Sequence, residues 1–189
     1  SMTVYDISQE VFSCAVFPGD PGPEMIPMNR MADGALYNLS SFTMCAHNGT
    51  HIDAPYHFLR EGKTVEQMPL EAFVGMAYVA EFHGTLEAND AAAILETAKS
   101  IDPQCARRIL IKGNATVSLD AARVFAKEKL LLIGNESQTV GPENAPMEVH
   151  LILLGAGVIL LEGIVLKDVE EGKYFLSAVP LNLAGFEGA

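Results

Sequence analysis

The pattern of apolar and polar positions divides the chain into short segments of different period. The opening residues 3–8, "TVYDIS", read as a strand, whereas 17–25, "FPGDPGPEM", are too rich in Gly and Pro for any regular element. Residues 36–47, "LYNLSSFTMCAH", are small, β-branched and aromatic and predict a strand. A short Pro-initiated helix is predicted at 69–75 and a strand at 76–82. Beyond them, helical periodicity at 90–100 begins with Asp90, a residue suited to N-capping. A strand at 107–113, a capped amphipathic helix at 118–129 and a buried strand at 130–135 follow. A helix over 145–155 closed by Gly155, then strands at 158–166 and 174–183, complete the series. Strands and helices alternate through the second half, which predicts an α/β fold with a mixed central sheet.

Length and composition narrow this picture. At 189 residues with 49% hydrophobic positions and no repeat or low-complexity linker, the chain is expected to form one domain, 1–189, with a real core. Ser1 before Met2 reads as a remnant of tag removal. The longest apolar run, 151–166, contains two internal glycines and Glu162 and is too interrupted for a membrane span. No charged leader followed by an apolar stretch opens the chain, so no signal peptide is expected. The three cysteines lack CxxC spacing and read as free thiols in a reducing cytoplasm. With 24 acidic against 12 basic residues, the net charge of −12 repels polyanions, which argues against nucleic acid and anionic membrane as partners. A small-molecule substrate is expected instead.

The chemistry concentrates in "HNGTHIDAPYHF", residues 47–58, which hold three of the five histidines together with Asp53. Gly49 and Pro55 oppose a continuous helix there. In extended geometry His47, His51, Asp53 and His57 share one parity and so one face. Imidazole and carboxylate are ligands that Zn²⁺ and Mn²⁺ accept. Such a face suits a one-metal site with an open coordination position, and His57 reads equally as a ligand or as a general acid/base. Glu162 is the only acidic residue inside an apolar run, where an unpaired carboxylate is costly and metal ligation would satisfy it. His83, at the end of a predicted strand, reads as a surface or capping residue.

The stretch 47–58 resembles the His-x-Gly-Thr-His-x-Asp-x-Pro-x-His-Phe signature of the metal-dependent cyclase family, which includes bacterial kynurenine formamidases and isatin hydrolases. "YDIS" near the start, "FPGD" at 17–20, "IGNESQTVGP" at 133–142 and "HLILLGAGVILLEG" at 150–163 extend the resemblance over nearly the whole chain. It implies a swivelling β/β/α domain assembled as a homodimer or homotetramer, with two divalent metal ions, Zn²⁺ or Mn²⁺. His47, His51 and Asp53 would bind the first ion. Asp53 would bridge to a second, held by His150 and Glu162. His57 would move protons during amide cleavage, and Glu136 and Thr50 are candidates for orienting the ligands.

The resemblance implies a hydrolase of a small amide, N-formyl amide, imide or lactam. A cyclase or dehydratase-type lyase, and a metal-binding protein without catalysis, are the competing readings; His57 argues against the last. Three departures bear on the substrate and the chain's end. Phe17 stands where kynurenine formamidases often carry a substrate-stacking Trp. The segment from Glu136 to Pro142 replaces a common Asp-Thr-Pro-Ser-x-Asp-Pro pattern. The chain also stops at "FEGA", where relatives continue into a further strand.

Overall fold

Alternation of side chains along the central strands assigns them to two different cores, and the architecture follows from it. The structure is a computed structural model describing residues 1–189. Its first half contains β1 (Glu24–Asn29), β2 (Leu39–Thr43), β3 (His51–Asp53), β4 (Val74–Glu81), β5 (Gly84–Leu86) and α1 (Ala88–Ile101). The second half contains β6 (Arg108–Lys112), β7 (Ala115–Val117), α2 (Leu119–Glu128), β8 (Leu132–Asn135), α3 (Met147–Gly155), β9 (Ile159–Glu162) and β10 (Gly172–Ser177). Six strands form the main sheet in the order β10-β4-β6-β8-β9-β3. The β4-β6-β8-β9 block is parallel, and antiparallel β10 and β3 flank it, so the sheet is mixed as expected.

Tyr78, Ala80, Ile109, Ile111, Ile133 and Leu160 point into a core shared with α1, α2 and α3. Their neighbours Ala77, Val79, Leu110, Leu132, Ile159 and Leu161 point into a second core, beneath the short 3-10 turns at Val65–Gln67 and Leu70–Ala72. Both faces of the parallel strands are therefore dry, which is why they are nearly continuous in Ile, Leu and Val. In β3, Ile52 belongs to the second core, so His51 and Asp53 must face the helix layer. Glu162 follows the same rule as Leu160 in β9, and α3 lies on that side with His150.

Several predicted elements take other forms. Residues 3–8 make no strand; Ile7 accepts a single bond from Val165 N–H (2.8 Å), too little pairing for a ladder. The strand predicted from 36 begins at Leu39 and pairs with β1 in a two-stranded ribbon. Pro27 lies in β1, where an edge strand tolerates a residue without N–H, and the Gly/Pro density next to it obscured this strand in the sequence. The predicted helix at 69–75 is only the 3-10 turn Leu70–Ala72. β10 ends at Ser177, so 178–183 lie outside it, and three-residue β5 and β7 are too short to carry a period. α1 starts a turn early: Asp90 is not the N-cap, and its carboxylate instead accepts the N–H of Glu87 (2.9 Å). No helix is long and apolar enough to cross a membrane.

Arg108, at the start of β6, is buried without a carboxylate partner. Its guanidinium donates to the carbonyls of Ala72 (3.2 Å), Met76 (3.1 Å) and Glu71, tying the turn before β4 to the sheet. Arg108→Ala removes the donor from the buried Ala72 carbonyl and from those of Met76 and Glu71, and is expected to destabilise by about 2–4 kcal/mol in urea unfolding. A loss below about 0.5 kcal/mol, the range of ordinary surface changes, would contradict this role.

Candidate metal centre

The register of β3 against β9 sets His51 opposite Glu162 at the sheet's edge. Within β3, His51 and Asp53 share a face by alternation. His47 and His57 reach the same place differently from the single extended face that parity predicts. Residues 46–50 form a turn in which Gly49 has φ +57°, and Pro55 opens a 3-10 turn, Pro55–His57. The turn folds His47 back, and the 3-10 turn brings His57 onto it, so the two rings stack 4.1 Å apart at 24°. From α3, His150 descends onto the cluster.

The resulting geometry joins residues a hundred positions apart. Asp53 has no exposed surface. Its Oδ1 lies 2.9 Å from His47 Nδ1 and 3.4 Å from His51 Nε2, and its Oδ2 lies 3.2 Å from His150 Nε2. Glu162 divides its oxygens in the same way, Oε1 to His51 Nε2 (3.1 Å) and Oε2 to His150 Nε2 (3.3 Å). Glu162 Oε2 also accepts the N–H of Val140 (2.6 Å). Two groups that could hold a metal ion share Asp53: His47, His51 and Asp53, and Asp53, His150 and Glu162.

The tautomers follow from the far side of each ring. His51 Nδ1 meets the carbonyl of Gly49 (2.9 Å) and His150 Nδ1 that of Pro146 (2.9 Å). A carbonyl only accepts, so both Nδ1 atoms carry hydrogen, and both Nε2 atoms of the neutral rings turn lone pairs toward carboxylate oxygens. Lone pair facing anion is repulsive unless a cation, a proton or a metal ion, lies between them. Burial pulls His150 down, but the Asp53 and Glu162 carboxylates beside it outweigh this and push it up to about 10. Burial acts likewise on His51 and His47 and is outweighed by Asp53, with Glu162 helping at His51, so both are also raised. Burial favours a neutral Asp53, yet the imidazoles of His150, His47 and His51 packed around it hold it well below the usual carboxylate range.

Asp53 Oδ2 is near His150 but not aligned for a hydrogen bond, and no other partner satisfies it. An anionic oxygen without a partner, three imidazole nitrogens and a second carboxylate form a donor set that fits a divalent ion of the Zn²⁺ or Mn²⁺ kind.

His57 differs from the other three histidines. The hydrogen bonds that fix the rings of His47, His51 and His150 have no counterpart on it. Burial, with repulsion from His47 and His150 and against the pull of Asp53 and Glu162, holds His57 below the ordinary imidazole value. It is therefore neutral near pH 7.

Around the centre, Thr50 accepts the N–H of Gln9 (2.9 Å) and donates to Gly163 O (2.6 Å), bracing the residues next to His51 and Glu162. Glu136 binds the N–H groups of Leu166 and Gly113 and touches no site histidine. Gln138 instead donates to Gly49 O (2.9 Å), the acceptor of His51. Phe17 lies in a turn closed by Asp20 N–H on its carbonyl (3.0 Å); Asn48 and Gly49 tie that turn to the motif loop through Pro21 O and Ala15 O. The ring that packs on the histidines is Phe58, 4.4 Å from His57 and 4.8 Å from His150 between centroids. His83 pairs with Glu81 on the surface (3.0 Å).

The residue that sequence reasoning missed outright is Glu187, whose Oε2 meets His47 Nε2 at 2.8 Å. No local pattern marks it; only the pairing of the C-terminal segment beside β3 brings it there.

Known proteins bear on this geometry. Residues 5–142 match the family model described as "Putative cyclase". Kynurenine formamidase of Salinibacter ruber is 32% identical over 204 residues, spanning 100% of this chain and 94% of that protein. A solved structure described as "predicted metal-dependent hydrolase from Bacillus stearothermophilus" superposes with a TM-score of 0.81 at 29% identity, covering 100% of this chain and 95% of that one. Isatin hydrolase A from Labrenzia aggregata, at 21% identity with a TM-score of 0.76, covers 98% of this chain and 90% of its own and bears on the fold alone.

The charge balance makes a direct prediction. Metal-free protein at pH 7 carries protons on His51 and His150, so loading with a divalent ion releases protons, measurable by calorimetry in buffers of different ionisation enthalpy. A raised folded value contributes stability that is complete below the unfolded value and is lost on going up through the folded one. Metal-free protein should therefore lose stability as pH rises from the ordinary histidine value through about 10. Proton-neutral loading would contradict the arrangement.

Proposed function

Because the chain belongs to the cyclase family, we propose that it is a metal-dependent hydrolase of a small C–N bond other than a peptide, an N-formyl amide, lactam or cyclic imide. The family match covers more than half of the chain, and relatives bearing the name kynurenine formamidase support amide hydrolysis as the reaction class. The observation that carries the reading is Asp53, buried and dividing its two oxygens between the His47–His51 side and the His150 side. A carboxylate so placed suits two ions, one held with His47 and His51, the other with His150 and Glu162. Zn²⁺ is the first choice for this donor set and Mn²⁺ the second. When bound, such ions supply acidity to water and polarise a carbonyl.

The protein's own groups do the rest. His57, neutral and without a hydrogen bond from the protein, accepts a proton from the nucleophile and returns it to the leaving amine nitrogen. Its stacking on His47 fixes the ring beside the cluster. Phe58 forms one wall of the cluster against His57 and His150. Phe17, on a turn tied to the motif loop, is the aromatic platform proposed for the substrate.

The whole of 1–189 acts as one cyclase-like domain. Assembly into a homodimer or homotetramer is supported by the β1–β2 ribbon, where Met25, Ile26, Met28, Leu39 and Phe42 are all exposed. Three free cysteines and no disulfide suit a cytoplasmic protein.

Hydrolysis screened over N-formyl arylamines, isatin-like lactams and cyclic imides with Zn²⁺ or Mn²⁺ tests the reading. His57→Ala is expected to keep its metal content and lose about 10²–10⁴-fold in turnover. His51→Ala should lose metal. Equal metal loss in both variants would make His57 a ligand, and a wild-type protein that takes up no divalent ion would end the enzyme reading. By light scattering the protein should be two or four times its 20.3 kDa chain mass, and a monomer would contradict the assembly.

A further inference from the structure

The C-terminal segment lies beside β3 as an added edge. Ile52 N–H donates to Ala189 O (2.7 Å), Ala189 N–H to Ile52 O (3.2 Å) and Ala54 N–H to Glu187 O (2.9 Å). Phe186 O accepts Val65 N–H (2.9 Å), and Gly185 N–H donates to the Glu66 carboxylate (3.1 Å). This docking carries one side chain to the cluster: Glu187, on His47 Nε2.

The three histidines that face the carboxylates follow one pattern. Each turns one ring nitrogen inward and rests the other on an acceptor. For His51 and His150 the acceptors are carbonyls of their own local segments, Gly49 and Pro146. His47 turns Nδ1 inward to Asp53 and has no local carbonyl on its outer nitrogen; its acceptor is the carboxylate of Glu187, 140 residues away. A carboxylate accepting from the outer nitrogen keeps Nδ1 free of hydrogen, orients the ring and raises its basicity as a ligand.

Gly188 fits the same scheme from the steric side. A Cβ there would lie 2.7 Å from His47 Cε1 and 2.9 Å from Ile52 O, so the tail can lie against the imidazole only with glycine at this position.

We propose that the C-terminal segment completes the metal centre, with Glu187 as the positioning residue that holds His47 ready to bind through Nδ1 and Gly188 as the gap that admits its ring. The proposal rests on the metal reading above and extends it: one of two ion sites is built by the motif loop together with the chain's last residues. Docking of the tail and loading of the site containing His47 are then linked events. The other site shares Asp53 but takes no support from the tail: His150 Nδ1 rests on Pro146 O, and Glu162 Oε2 accepts the N–H of Val140.

Co²⁺ titration of the full chain, followed by visible absorption and chelator competition, tests this without recourse to turnover. Wild-type protein should take up two ions. Glu187→Ala should bind one of them about 10–100-fold more weakly, with the absorption of that site altered and the second ion unaffected. Glu187→Gln should stay close to wild type, since the amide oxygen still accepts from Nε2–H. Gly188→Ala should weaken the same ion as Glu187→Ala. Wild-type affinities for both ions in Glu187→Ala would overturn the proposal and leave the metal reading intact. Equal loss in Glu187→Ala and Glu187→Gln would also overturn it, because it would make Glu187 a direct ligand. A wild-type chain that binds no Co²⁺ would remove the metal reading and this proposal with it.

Discussion

A carboxylate entirely out of water is tolerated only if positive charge or hydrogen-bond donors surround it, and Asp53 is such a carboxylate. The effective penalty for an uncompensated ion is several kcal/mol, comparable with the whole stability of a small domain. Around Asp53 the fold therefore gathers His47 from a turn, His51 from the same strand and His150 from α3. Glu162, nearly as buried, adds a second negative charge to the same cluster. Two carboxylates and three imidazoles whose lone pairs face them cannot rest neutral. They take up protons or they take up metal, and the site's chemistry follows from that choice.

The sheet supplies the geometry. Strand alternation sends Ile52 and Leu161 into one core and so directs His51, Asp53 and Glu162 to the other face, where α3 lies. A slip of one residue in the β3–β9 register would exchange these sets, burying the ligands among Phe73, Leu132 and Ile159. The aliphatic core and the polar cluster thus specify the same register, and each penalises the alternative that would spoil the other. The loop after β8 adds to this through Val140 N–H on Glu162 and Gln138 on the carbonyl that holds His51.

Much of this was legible in the residues. Helices α1 and α2 show a helical period, and α3 and the parallel strands are apolar enough to read as buried elements. The density of histidine beside Asp53, and one carboxylate inside an apolar run, mark the cluster in the sequence itself. The manner of convergence was not legible: parity along an extended chain suggested one face, whereas a turn at Gly49 and a 3-10 turn at Pro55 do the work. Three-residue strands carry no period, and a ribbon with Pro27 in it looks like a loop. Phe58, next to His57 in sequence, acts as an aromatic wall because α3 brings His150 against it, which no local pattern shows. Glu187 carries no signal, because a single acid in a tail looks the same whether it meets solvent or an imidazole.

Membership in the cyclase family and a cluster built on buried charge lead to one account, in which cation binding and amide cleavage depend on the same few side chains. Its central claim is that divalent ions occupy both sides of Asp53. Anomalous diffraction from crystals of the Zn²⁺-reconstituted protein, recorded above the zinc edge, tests it most directly. The account predicts two peaks, one beside His47, His51 and Asp53 and one beside Asp53, His150 and Glu162. No peak within this cluster, or density only at surface groups such as Glu81 and His83, would contradict it.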